Sequence, residues 1–276
     1  MALAELRIRN GPLIMGVVNV TPDSFSDGGR FFLHASAIEQ AKSLIEAGAD
    51  VLDIGGESTR PGAVPVSAAD EIARVVPVIE GLRRDWNGPI SIDTFKAQVA
   101  RAAVAAGANI WNDIRALEGE GSLEAAADLN CDIILMHMKG DPQTMQSEPR
   151  YDDVVAEVEA YLLARAEGAM AAGVARERIW LDPGIGFGKT LDHNLSLIRA
   201  TGRLAAHGFP LLMAASRKRF IAALEEREGA GPSTADERIG GTIAVHLKAI
   251  ELGARMVRVH DVQAMKQALR IWGALR

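Results

Sequence analysis

Gly48-Ala49-Asp50-Val51-Leu52-Asp53-Ile54-Gly55-Gly56-Glu57-Ser58 is the stretch on which the fold turns. Gly-Ala suits a left-handed helix cap and a short return. Val51 to Ile54, apolar except for Asp53, is the right length for one buried strand. The chain then leaves into a polar, Gly-rich loop. A helix ends, a strand crosses, and ionisable groups appear at its carboxyl end.

The same unit recurs along the chain. Short apolar runs predict strands at 13–18, 51–54, 90–92, 109–111, 132–136, 178–181, 211–214 and 256–259. Helical spacing fills 35–48, 67–85, 95–106, 122–130, 152–173, 192–206, 234–252 and 262–273. Gly107, Gly173 and Gly253 repeat the helix-ending role of Gly48. Ser67, with Asp70 and Glu71, marks a helix start. Eight strand–helix units in 276 residues predict one domain, 1–276, of the α/β class: a single (β/α)8 TIM barrel. The alternative, an open doubly wound sheet, needs a topological switch and usually has fewer strands.

Composition agrees with buried parallel strands under Ala-rich helices, being 48% hydrophobic and only 5% aromatic. A net charge of −6 without a basic stripe argues against a nucleic-acid partner. Any anionic ligand must then be held by a local cluster of cations. The one cysteine, Cys131, lies in an apolar run and is expected to be an inert buried thiol in a reducing compartment. Met1–Asn10 lacks the apolar core of a secretory signal, and no run reaches the ~18 apolar residues of a spanning helix. The expectation is a cytoplasmic protein without membrane contact.

The strand exits carry the chemistry. In chain order they offer Asn19, Asp53, Asp93-Thr94, Asn112-Asp113, His137, Asp182, Ser216-Arg217-Lys218 and Arg258-Val259-His260-Asp261. The carboxyl ends of barrel strands form the active-site face. One polar exit needs only water to explain it; eight together call for a ligand. Asp93, Asn112 and Asp182 combine two carboxylates and an amide, a match for the amidine-like edge of a pterin or guanine. Two acids also fit a glycosidase pair, against which the scarcity of aromatics counts. His137 with Asp93 and Asp182 is a third reading, a metal site, but no His-x-x-x-His or Cys cluster supports a tightly held zinc. The cations Arg60, Lys218, Arg258 and His260 suit phosphate groups. A diphosphate also calls for Mg²⁺, with Asn19 and Asp27 as candidate ligands. Gly184-Ile185-Gly186-Phe187-Gly188-Lys189-Thr190 imitates a nucleotide P-loop, but Pro183 stands where that pattern requires Gly. It reads better as a turn that lets backbone approach a flat ligand.

Met15-Gly16-Val17-Val18-Asn19-Val20-Thr21-Pro22-Asp23-Ser24-Phe25-Ser26-Asp27-Gly28-Gly29 resembles the first signature of dihydropteroate synthases. Residues 48–62, from Gly48 through Thr59-Arg60-Pro61-Gly62, resemble the second. Ser91-Ile92-Asp93-Thr94, Asn112-Asp113-Ile114, Met136-His137-Met138, Asp182 to Lys189, Ser216-Arg217-Lys218 and Arg258-Val259-His260-Asp261 continue in family order. The resemblance implies joining of a dihydropterin diphosphate to 4-aminobenzoate, with Mg²⁺ as cofactor and a homodimer built through helices on the barrel's side. It implies that Asp93, Asn112, Met136, Asp182, Phe187 and Lys218 line the pterin pocket, with Asp93, Asp182 and Lys218 taking part in catalysis. Asn19, Arg60, Arg258 and His260 would hold the diphosphate, and Asn19 and Asp27 the Mg²⁺. Phe25, Thr59, Arg60, Pro61, Lys218 and Arg219 would receive the aminobenzoate, its carboxylate at a helix start near Ser216. Arg219 and Ala222 depart from the family, where Ser and Gly are common. The other functions weighed are a pterin-binding methyltransferase barrel, which needs no diphosphate site, and an inactive pterin-binding protein.

Overall fold

The computed structural model describes residues 11–21, 30–58, 63–141 and 144–275. Eight parallel strands follow one another: β1 (Leu13–Asn19), β2 (Val51–Gly55), β3 (Ile90–Asp93), β4 (Ile110–Asp113), β5 (Asp132–Met136), β6 (Ile179–Asp182), β7 (Leu212–Met213) and β8 (Met256–Val259). Neighbours run β6-β5-β4-β3-β2-β1-β8-β7, and the bridge Leu181↔Leu211 brings the two ends together. This is the (β/α)8 barrel expected from the sequence.

Helices separate the strands: α1 (Arg30–Glu46), α2 (Ala68–Arg83), α3 (Ala97–Ala105), α4 (Ser122–Asp128), α5 (Val154–Ala171), α6 (Leu191–Arg199), α7 (Thr201–Ala205), α8 (Arg219–Arg227), α9 (Ile239–Glu251) and α10 (Val262–Ala274). Gly48, Gly107, Gly173 and Gly253 all take left-handed φ, between 101° and 119°, where the cap reading requires it. Ser67 caps α2 by accepting from Asp70 N.

Two differences from the sequence reading have local causes. The single helix expected over 192–206 divides at Ala200 (φ −85°, ψ 4°), where Thr201 Oγ1 bonds Ile198 O at 2.8 Å. α8 is absent from the periodicity: Arg219, Glu225, Glu226 and Arg227 crowd its short span, and only Phe220, Ile221 and Ala222 are buried. The seventh strand also contracts to Leu212–Met213.

Strand alternation sorts the core into two layers. Leu13, Met15, Val51, Ile110, Ile134, Trp180, Leu212 and Met256 form an apolar cluster that fills the barrel. The intervening residues, among them Ile14, Leu52, Ile92, Trp111, Ile133, Leu181 and Val257, belong to the larger outer cluster shared with the helices.

Candidate active site

Two residues beyond the inner apolar side chains of β2, β4, β6 and β8, the same inward face becomes polar, while on β5 it stays apolar. Val51 is followed by Asp53, Ile110 by Asn112, Ile134 by Met136, Trp180 by Asp182 and Met256 by Arg258; Asp93 follows the buried Ser91. The period of two therefore lays the chemistry directly on the apolar plug. Register reinforces it: Asp93 is opposite Asn112 and Met136 opposite Asp182.

Arg258 organises this floor. Its Nε donates to Asp53 Oδ2 at 2.5 Å and its Nη2 to Asp93 Oδ2 at 2.7 Å. Burial opposes the guanidinium charge, yet Asp53 and Asp93 hold its pKa above the ordinary value. Burial pushes the Asp93 carboxyl up to about 7 against the pull of Arg258, and Asp53 adds to the rise. Asn112 Nδ2 donates to Asp53 Oδ2 at 3.3 Å. Asp53 Oδ1 and Asn112 Oδ1 are buried acceptors with no protein partner. Buried acceptors are rarely left unpaired, so these oxygens favour a ligand that brings N–H donors.

The far wall is β6 and its loop. Asp182 is 2% exposed; its Oδ1 accepts from Gly184 N at 2.7 Å. Burial raises its pKa, while Lys218 and the Gly184 N–H oppose the rise. Lys218 Nζ donates to Ile185 O and lies 4.4 Å from the Phe187 ring centroid. Burial brings Lys218 down to about 8 against the attraction of Asp182. Met136 is buried beside Asp182.

The loop of β6 settles the P-loop question. Three of its N–H groups are used inside the protein: Gly184 on Asp182, Gly186 on Asn194 Oδ1 at 2.7 Å, Phe187 on Gly184 O at 3.1 Å. They cannot cradle a phosphate. The close backbone approach is to the neighbouring loop, since a Cβ on Gly184 would stand 1.9 Å from His137 O.

The Ser216-Arg217-Lys218 turn separates its three side chains. Ser216 Oγ pairs with His260 Nδ1 at 3.0 Å and accepts from His260 N at 3.2 Å. Arg217, at φ 59°, turns away to Asp261, with contacts of 2.8 and 2.5 Å. Lys218 faces the site and Arg219 opens α8, exposed. Asn19 closes β1 opposite Gly55. Phe25, Asp27, Thr59, Arg60 and Pro61 lie outside the described residues.

Sequence reasoning left three features unassigned. Asp53 was noted on its strand without a role; its place two residues after Val51 was the available signal. Lys96 Nζ bridges Glu57 Oε2 at 2.5 Å and Glu71 Oε2 at 2.6 Å, and Glu57 Oε1 accepts from Val66 N at 3.0 Å. One carboxylate thus ties the start of the second loop to a residue after it. Lys189 is the third, and no local pattern marks it as buried. Cys131 is buried as expected, its thiol pushed up to about 11 by burial. Among the described residues no group of three or more His, Cys, Asp or Glu could hold a metal.

Comparison with known proteins agrees with this geometry. Residues 15–260 match the family described as "Pterin binding enzyme". The dihydropteroate synthase of Escherichia coli K12 is 46% identical over 260 residues, 94% of this chain and 90% of that one. The chain belongs to the dihydropteroate synthase family. The dihydropteroate synthase of Neisseria meningitidis serogroup B is 49% identical over 96% of this chain and 93% of its own. The Xanthomonas albilineans dihydropteroate synthase, solved with 4-aminobenzoic acid, superposes with a TM-score of 0.89 at 47% identity, covering 96% of this chain and 93% of that one. A structure of the same enzyme with 7,8-dihydropteroate gives 0.86 at 45% identity, covering 96% and 94%. The activity is that of the family, a transferase reaction that moves a dihydropterin-methyl group onto 4-aminobenzoate.

Proposed function

We propose that the barrel mouth divides this reaction among three neighbouring subsites within one domain, 1–276. The observation that carries the reading is the ring of Asp53, Asp93, Asn112 and Asp182 above the apolar plug, with buried acceptor oxygens awaiting donors. Asp93, Asn112 and Asp182 receive the polar edge of the pterin, between Met136 and Phe187, with Lys218 alongside. Asn19, Arg60, Arg258 and His260 take the diphosphate. Phe25, Thr59, Arg60, Pro61, Lys218 and Arg219 surround the aminobenzoate, whose carboxylate meets the start of α8.

In this scheme the bond between the pterin methylene carbon and the diphosphate oxygen breaks first. Cations stabilise the negative charge on the leaving group. Ring nitrogens delocalise the positive charge left on carbon, and the Asp93 carboxylate offsets it. The amine of 4-aminobenzoate attacks that carbon and gives up its proton to water or to the departing diphosphate. No protein nucleophile is needed, in keeping with a buried Cys131. Mg²⁺ would be held by Asn19 and Asp27, hard oxygen donors that suit it, with substrate and water oxygens completing the shell. When bound it supplies positive charge to the departing diphosphate.

The test is direct: protein, dihydropterin diphosphate, Mg²⁺ and 4-aminobenzoate should yield 7,8-dihydropteroate and diphosphate. Product without added Mg²⁺ in the presence of a chelator would remove the metal from the scheme. A homodimer is proposed through α9 and α10, where Ile243, Leu247, Ala268, Ile271, Trp272 and Leu275 line an apolar groove and Ile271 and Leu275 are 61% and 81% exposed. Ile271→Glu should then give a monomer in sedimentation. A cytoplasmic location is also proposed; no helix of the described residues is long and apolar enough to cross a membrane.

A further inference from the structure

Lys189 is a lysine in an unusual place. It is 3% exposed, at the end of the Gly-rich loop. Its Nζ lies 2.9 Å from Phe187 O, 3.3 Å from His137 O and 3.0 Å from His137 Nδ1. Burial, chiefly, lowers its pKa well below the ordinary value, with Asp182 opposing and Lys218 assisting. Burial likewise takes His137 down to about 3, so its ring is neutral, with one donor and one acceptor nitrogen. The His137 ring is itself held edge-on to Tyr161, with centroids 4.9 Å apart.

The loop that Lys189 ends is built to be held from outside. Gly184, Gly186 and Gly188 all have positive φ. A Cβ on Gly188 would stand 2.3 Å from Lys139 O. Its backbone is anchored by Asn194 at Gly186 N and by Tyr151 Oη at Gly188 O, 2.8 Å away. Phe187, between these anchors, has its carbonyl bonded by Lys189. The Phe187 ring is what Lys218 rests over.

We propose that Lys189 is a positioning residue for the pterin subsite. By donating to Phe187 and His137 together it joins the β5 and β6 exits and fixes the Phe187 ring, and with it the seat of Lys218. This rests on the reading that Phe187 and Lys218 face the pterin. Lys189 touches neither substrate; it acts through the carbonyls it pairs. Its loss would leave those carbonyls without their buried donor and His137 Nδ1 without its partner.

The test is calorimetric titration of the intact enzyme with a pterin analogue, for Lys189→Met, Phe187→Ala and the double variant. Lys189→Met should raise the Kd for the pterin by roughly tenfold. The KM for 4-aminobenzoate at saturating pterin diphosphate should stay within about twofold. In the Phe187→Ala background, Lys189→Met should add little, because the effect runs through that ring. A residue that only stabilises the fold would lower Tm and the binding stoichiometry while leaving Kd unchanged, and that result overturns the proposal. So does full additivity of the two substitutions. If Lys189→Met does not fold, Lys189→Gln, which keeps one donor, is measured by the same criteria. An unchanged Kd in Phe187→Ala would instead refute the pterin reading of Phe187 itself.

Discussion

Arg258 Nη2 lies 2.7 Å from Asp93 Oδ2, joining β8 to β3 across the barrel mouth, between residues 165 apart in the chain. The guanidinium is thereby aligned over the floor and the carboxyl of Asp93 is kept from rising further. Removing the cation takes away the strongest influence lowering the Asp93 pKa, which already stands at about 7. With an uncharged neighbour the anion is less favoured, so the pKa moves up. Arg258→Met should shift the acidic limb of the kcat/KM–pH profile to higher pH and lower activity by about 100-fold or more. A profile with an unmoved acidic limb would mean that Asp93 ionisation does not govern the rate.

Asp182→Asn exchanges an acceptor-only carboxylate for an amide that presents a donor to the ligand. Mispairing in a desolvated site costs about 1–3 kcal/mol, or roughly 5- to 150-fold in affinity. The fold should persist, because Asn can still accept from Gly184 N. Calorimetry with a pterin analogue reads the effect; unchanged affinity would remove Asp182 from the pocket.

Arg219 is exposed at the first position of α8, where the helix end already favours anions. Backbone amides alone can hold a carboxylate there. Arg219→Ser should accordingly raise the KM for 4-aminobenzoate by no more than about threefold and leave that for the pterin diphosphate alone. A rise near tenfold would assign the carboxylate to the Arg219 side chain, equivalent to about one charge-assisted hydrogen bond.

Lys96 neutralises two acids, one of them the fully buried Glu71. Burial already raises the Glu71 pKa against the pull of Lys96. Lys96→Met should destabilise the fold by roughly 3 kcal/mol, because it strands buried carboxyl groups without their cation. Adding Glu71→Gln should restore more than half of that loss. Urea unfolding of the single and double variants provides the comparison, and simple additivity would contradict the shared-cation account.

Asp113 accepts from Arg115 N at 2.8 Å and Leu117 N at 3.0 Å, closing a turn in which Ala116 and Leu117 both have positive φ. Burial pushes its pKa from 3.8 up to about 7. A folded-state pKa above the unfolded one means that the native state binds the proton more tightly. That stabilisation is complete below about pH 4 and is lost as pH rises through about 7. The destabilisation caused by Asp113→Asn should therefore be largest at acid pH and shrink by as much as roughly 4 kcal/mol by pH 8. Thermal unfolding of wild type and variant across this range tests the sign; a loss that grows with pH would reverse it.

Much of this architecture is local and could be read directly. Strand length, the inward period of two, and left-handed glycines such as Gly48 and Gly253 depend on neighbours a few residues away. So do Asp93, Asn112 and Asp182 as strand-exit groups, because each position is set by its own strand. α8 was lost to that method, since three buried residues in nine give too little period to see.

What the sequence by itself determined is the eightfold unit and the kind of group each strand delivers to the carboxyl end. Only the tertiary structure decided which of those groups meet. Arg258 finds Asp53 205 residues away, Lys189 finds His137 52 away, and Lys96 draws Glu57 and Glu71 into one cluster. The first of these pairings depends on barrel closure, which brings β8 beside β1, and the others on the direct pairing of β5 with β6 and of β2 with β3, which sets their loops side by side. Closure is a property of all eight strands at once, and burial then sets the charge state of each group it gathers.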